Sequence, residues 1–148
     1  MTLWGINMGG FRFLEHVSDV LVEAWGETLE EAFKQAAKAF FETMVEVDKI
    51  EKRKTENITA EGFDLQSLLY EWLEQLLIIH EVRNMVFSEF DVKISKEQDN
   101  YTLKAIAYGE NYDPEKHSSK VAVKAITYHE MEIKRENDRY ILKFLLDI

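Results

Sequence analysis

The sequence predicts an α+β fold: a single two-layer domain, mostly antiparallel sheet, with two helices packed on one face. Three observations predict it. Two stretches place apolar residues at the 3-4 spacing of a helix face. Several others alternate with the period of two that a half-buried strand requires. The two helical stretches are grouped among strands instead of alternating one for one with them. With 148 residues the chain suits one domain, able to bury roughly 68–70% of its unfolded surface without staples.

Taken in order, residues 1–10 (MTLWGINMGG) have neither a positively charged n-region nor a long apolar h-region. They read as a flexible tail, not a secretory signal, with Met8 as an alternative start. Residues 11–148 form the domain. Phe11–Leu14 and Val20–Trp25 read as strands around a polar knot, Glu15-His16-Val17-Ser18-Asp19. The first helix carries Leu29, Ala32, Phe33, Ala36, Ala37, Phe40, Phe41 and Met44 on one face. Thr28 and Glu31 have the form of a capping box.

The second helix starts after Asp64 as N-cap and carries Leu65, Leu68, Leu69, Trp72, Leu73, Leu76 and Leu77. Its apolar positions repeat those of the first at an offset of 36, which suggests a duplicated strand–helix unit or a shared packing solution. A polar strand near 52–60 lies between the helices. Five strands should follow: Phe90–Ile94, Tyr101–Tyr108, Val121–His129, Met131–Glu136 and Tyr140–Leu146. Asn111–Ser119, the one stretch with a proline, reads as a loop.

Composition excludes several classes of chemistry. The chain has no cysteine, so disulfides, thiolate metal sites and cysteine nucleophiles are out, which suits a reducing cytoplasm. No apolar run is long enough to span a bilayer. There is no glycine-rich phosphate loop, no H-E-x-x-H and no G-x-S-x-G elbow. A net charge of -10 disfavours general nucleic-acid binding, which needs clustered Lys and Arg. It suits a hard cation, a basic protein partner, or solubility alone.

Two places concentrate ligating groups. Asp147 follows an apolar strand and adjoins the α-carboxylate of Ile148, oxygen donors of the kind that Ca²⁺ and Mg²⁺ take. The knot offers His16 and Asp19. Taken alone, the terminus reads more simply as a frayed end with solvated charges, and the knot as a turn capped by Asp19. A zinc-dependent hydrolase site built from His16, His129, Asp19 and Asp147 is the weaker alternative, since the histidines at 16, 80, 117 and 129 show no ligand spacing. Lys124 lies in a locally basic stretch that reads as a solvated strand face or a docking surface.

Several pieces together carry a resemblance: Glu15–Val20 (EHVSDV), Tyr112–His117 (YDPEKH), Val123–His129 (VKAITYH) and the terminal Asp147-Ile148. In this order the chain from Phe11 to Ile148 resembles the archease family. The resemblance implies an accessory protein that activates the GTP-dependent RNA ligase of tRNA splicing, promoting guanylylation of the ligase and multiple turnover. It implies a divalent cation, calcium first with magnesium or manganese as alternatives, held by Asp19, Asp147 and Ile148. Lys124, His129 and His16 match family positions and are candidates for partner contact. His-Val-Ser-Asp stands here for the family's common His-Thr-Ala-Asp and leaves Asp19 in place. The expected partner is the ligase protein, with no sequence-specific nucleic acid and no membrane. Family descriptions as a chaperone-like modulator of tRNA-modifying enzymes supply the alternative function, with a metal-dependent phosphohydrolase behind it.

Overall fold

The structure is a computed structural model that describes residues 9–16 and 18–148. The expected tail falls mainly at 1–8, outside the described residues, and Gly9 and Gly10 belong to the first strand. The elements run β1 (Gly9–Leu14), β2 (Val20–Gly26), α1 (Leu29–Met44), β3 (Lys54–Gly62), α2 (Leu65–Arg83), β4 (Met85–Glu97), β5 (Asn100–Asn111), α3 (Pro114–His117), β6 (Ala125–Glu136) and β7 (Arg139–Asp147). The fold is α+β, as the periodicities require. Its strands divide between two antiparallel sheets, ordered β1-β2-β7-β6 and β3-β5-β4.

The predicted helical faces are the buried ones. Ala32, Phe33, Ala36, Ala37, Phe40, Phe41 and Met44 of α1 are buried, as are Leu68, Leu69, Trp72, Leu73, Leu76 and Leu77 of α2. α1 packs on β2 of one sheet and β4 of the other, while α2 packs on β3 and β6. The helices therefore bridge the sheets, and a single core forms between them. The Trp72 indole N–H crosses this core and donates to the Phe33 carbonyl at 3.0 Å.

Capping differs from expectation in one respect. Thr28 accepts from the Glu31 N–H at 3.0 Å, but the Glu31 carboxylate turns away and accepts from Gln35. The reciprocal box forms instead at α2: Asp64 accepts from Ser67 N–H at 2.7 Å, and the Asp64 N–H donates to the Ser67 hydroxyl at 3.1 Å.

The contacts have a two-fold pattern. Apart from β1, which has no counterpart, exchanging β2 with β3, α1 with α2, β4 with β6 and β5 with β7 preserves the strand pairing and the main helix–sheet packing. Gly26 and Gly62, 36 residues apart, do the same work: an added Cβ would come within 2.6 Å of Ala32 N in one half and 2.5 Å of Leu68 N in the other. Only glycine lets each strand end approach the first turn of its helix so closely. The hairpins repeat too, at an offset of 39. Lys96-Glu97-Gln98-Asp99-Asn100-Tyr101-Thr102-Leu103-Lys104 matches Arg135-Glu136-Asn137-Asp138-Arg139-Tyr140-Ile141-Leu142-Lys143. In both, a cation covers the tyrosine opposite it: Lys96 on Tyr101 at 5.4 Å and Arg135 on Tyr140 at 5.2 Å.

Two local expectations are corrected. The stretches 121–129 and 131–136 are not separate strands: Ala125–Glu136 is one strand with a large bulge. Thr127 pairs with Leu145, and the next paired residue, Glu132, pairs with Lys143. Bulged residues break period-two patterning, so the strand reads as two. The loop at Asn111–Ser119 is shorter than expected, because β5 reaches Asn111 and Pro114–His117 forms a helical turn with Asp113 as its cap.

Candidate functional site

The four-stranded sheet places Asp19 and Asp147 at the same end of the β2–β7 pair, one residue before Val20 and one after Leu146. Val20 pairs with Leu146, and Asp147 pairs with Ala125. The pairing of β2 with β7 ends at Val20 and Leu146, so Asp19 and Asp147 are the next residues along the two strands at that end. Asp19 is half-buried in a bend before β2, and Asp147 is exposed at the end of β7. The Lys124 N–H donates to the Asp147 carbonyl at 2.7 Å, which ties the start of β6 to the chain terminus. The Lys124 side chain is exposed and enters no ion pair among the described residues. Ile148 is half-buried against the core. The terminus is therefore seated, not frayed.

Among the described residues no three His, Asp or Glu side chains gather closely enough to hold a metal. The donor set at this sheet end comprises two side-chain carboxylates and the α-carboxylate of the residue after Asp147. All are hard oxygens, which fit Ca²⁺ or Mg²⁺ in kind and zinc poorly. The other half of the fold supplies a comparison. The equivalent row there carries Thr55 opposite Tyr108, with no carboxylate in either place. The pairing of acids at Asp19 and Asp147 is thus particular to one half and is not a by-product of the repeat.

His16 and His129 are brought to one carboxylate that sequence reading missed. The His16 ring Nε2 lies 2.9 Å from Glu130 Oε2, and His129 Nε2 lies 4.0 Å from the same oxygen. The hydrogen bond from His16 holds the Glu130 carboxyl below its ordinary range. Glu130 stands in the β6 bulge with φ 59°, a left-handed conformation that is uncommon for a non-glycine residue. His16 thereby fastens the knot to the bulge. The His129-Glu130 neighbourhood was visible in the sequence, but the backbone reversal that aims Glu130 at His16 was not.

The other two histidines are structural. His80 Nδ1 lies 2.8 Å from the Met85 carbonyl and closes the end of α2. His117 is fully buried. Its Nδ1 accepts from the Asp113 N–H at 2.9 Å, so its hydrogen sits on Nε2, which lies 2.9 Å from Glu110 Oε2. Burial pushes the Glu110 carboxyl up, but hydrogen bonds from Glu51 N–H, His117 and Lys116 outweigh it and hold the group at about 2. The Tyr112–His117 motif is therefore a clamp on the fold, with Lys116 bridging Glu110 and Glu51.

Comparison with known proteins follows this geometry. The sequence model described as the Archease protein family (MTH1598/TM1083) matches residues 11–148. The chain belongs to the archease family. It is 48% identical over 142 residues to an archease of Pyrococcus abyssi, covering 95% of this chain and 100% of the relative. An archease of Sulfurisphaera tokodaii is 43% identical over 141 residues, covering 95% and 100%. The solution structure of protein 1598 of Methanobacterium thermoautotrophicum superposes with a TM-score of 0.82 at 35% identity, covering 94% of this chain and 99% of that one. The crystal structure of an archease of Thermotoga maritima, described as a possible chaperone, aligns with a TM-score of 0.58 at 15% identity, covering 91% and 94%. That last likeness concerns the fold alone. Among the described residues of this archease no helix is long and apolar enough to cross a membrane.

Proposed function

We propose that this archease activates a GTP-dependent RNA ligase, promoting ligase guanylylation and turnover, and that it carries a divalent cation at the end of its four-stranded sheet. One observation supports this reading above the rest: Asp19 and Asp147 adjoin the terminal Val20–Leu146 pair at one end of the sheet, with the Lys124 N–H bonded to the Asp147 carbonyl. Asp19, Asp147 and the Ile148 carboxylate hold the cation, calcium before magnesium or manganese. The cation supplies a fixed positive centre that joins the knot to the terminus. The residues of the chain do the rest. His16 and Glu130 hold the knot in place, and the exposed Lys124 is tied to Asp147 by a backbone bond. A surface of this kind matches the phosphate- and metal-binding mouth of a ligase. The protein itself performs no covalent step.

The test is multiple-turnover ligation with excess RNA and GTP. Added archease should raise turnover, and Asp19→Ala and Asp147→Ala should abolish the gain. No gain, or a gain that survives both substitutions, rejects the reading. A second reading, a chaperone-like adaptor for RNA-modifying enzymes, draws on exposed apolar side chains at Phe63 (75% exposed) and Val82 (76%). It expects suppression of client aggregation that Asp147→Ala leaves unchanged and Phe63→Ser weakens.

A further inference from the structure

The outer face of the three-stranded sheet has a charge arrangement that the fold's own repeat makes anomalous. Lys104 of the central strand lies opposite Thr59 on one side and Lys93 on the other. Both lysines are exposed, and neither takes part in an ion pair or hydrogen bond among the described residues. Like charges directly opposed across a sheet are destabilising. The equivalent place in the other half is Lys143, opposite Glu23 and Glu132. There Lys143 Nζ lies 3.3 Å from Glu132, and Arg12 continues the alternation at 2.8 Å from Glu23. At the positions of Glu23 and Glu132 the second half carries Thr59 and Lys93. Both counter-charges are gone, in a chain whose net charge is -10 and which does not lack carboxylates.

The face is also concave. A cavity of about 530 Å³ lies over these residues, the size of a small-ligand site. Exposed Ile106 seats its next row, between Asn57 and Asp91. Asp91 also lines the cavity, where its carboxylate accepts from the Tyr108 hydroxyl at 2.5 Å and is thereby engaged within the sheet. The Thr59 hydroxyl and the Asn57 amide add neutral hydrogen-bonding groups on the β3 side. Two facing ammonium groups match a compact dianion, and the apolar seat matches a body attached to it.

We propose that this face binds a phosphate ester of mononucleotide size. Lys93 and Lys104 hold the phosphoryl group, and Ile106 supports the body. The site lies on the opposite sheet from Asp19 and Asp147, so it stands or falls apart from the cation proposal.

The experiment is titration of the isotopically labelled full chain with AMP, inorganic phosphate and a short single-stranded oligonucleotide, followed by amide chemical shifts. AMP should give saturable, salt-sensitive shifts at Thr59, Lys93, Lys104 and Ile106. Lys93→Glu restores the alternation seen at Glu132 and Lys143, so it should keep or raise thermal stability. It should weaken AMP binding by roughly tenfold or more, the loss expected of one charged hydrogen bond. Lys104→Gln should weaken AMP binding as well. Any of four results overturns the proposal: no saturable shift with AMP, equal affinity for inorganic phosphate, response to the oligonucleotide alone, or undiminished binding by Lys93→Glu.

Discussion

Val20 and Leu146 are antiparallel partners across β2 and β7, and Asp19 and Asp147 are the residues that adjoin them at the end of the sheet. Residues from the two ends of the chain therefore share one end of one sheet. On the far side of β7, Asp147 is held by Ala125 and by the Lys124 N–H. Its backbone is fixed by β6 and by the residue that precedes that strand.

The first prediction concerns this sheet end. Saturating Ca²⁺, at about 100 times its dissociation constant, should stabilise the protein by about 2.7 kcal/mol. For a domain of this size that raises the melting temperature by roughly 5–10 °C. Asp147→Ala and Asp19→Ala should remove the effect, and so should residues appended after Ile148, which consume the α-carboxylate. Thermal melts with and without Ca²⁺, Mg²⁺ and Mn²⁺ check this. A wild-type protein indifferent to all three carries no such site.

Glu110 makes a prediction about acid stability. Its carboxyl is held at about 2 in the folded state, below its ordinary 4.5. A lowered folded pKa gives stability that is complete above the unfolded value and is lost as pH falls towards the folded one. Glu110→Gln should cost about 1–3 kcal/mol at neutral pH, because a buried network of donors loses its charge and one of its two acceptor oxygens. The gap between the two proteins should narrow from pH 4.5 down to about 2. Urea unfolding across that range reads it, and a gap that widens on acidification contradicts it.

The paired glycines test the internal repeat. An added methyl at Gly62 would meet Leu68 N at 2.5 Å, and one at Gly26 would meet Ala32 N at 2.6 Å, both backbone atoms that cannot rotate aside. Gly62→Ala and Gly26→Ala should each destabilise by about 1–3 kcal/mol, the cost of overpacking. Chemical denaturation should give similar values for the two. If either is tolerated without loss, the two halves do not share one strand–helix joint.

Trp72 should show a cost beyond its volume. Its indole N–H donates to the Phe33 carbonyl within the buried core. Trp72→Phe keeps a ring but removes the indole donor, and a loss of about 2–4 kcal/mol is expected from the lost buried hydrogen bond and the cavity left by the smaller side chain together. Equilibrium unfolding measures it, with binding of Ca²⁺ to the folded protein unchanged.

Much of this molecule is local in origin and legible in its sequence. The face of α1 from Ala32 to Met44 and that of α2 from Leu68 to Leu77 follow from spacing alone, because a helix closes its hydrogen bonds within itself. The hairpin at Asn137-Asp138 follows from its turn residues, which take the left-handed backbone the reversal needs. Asp19, Asp147 and Ile148 were recognisable as a set through resemblance, and Asp64 was identified as a cap. Tertiary structure decided what depends on partners distant in the chain. It divided the strands into two sheets and brought Asp19 and Asp147 to the same sheet end. It turned Glu130 towards His16 through a bulge that erases the strand's period. It also placed Lys104 against Lys93 where the other half sets Lys143 against Glu132. Strand pairing is non-local: its hydrogen bonds are the same in any register, and only burial of one face selects among them. The chain therefore determined its helices, turns and donor residues residue by residue, and the packed sheets determined which donors meet.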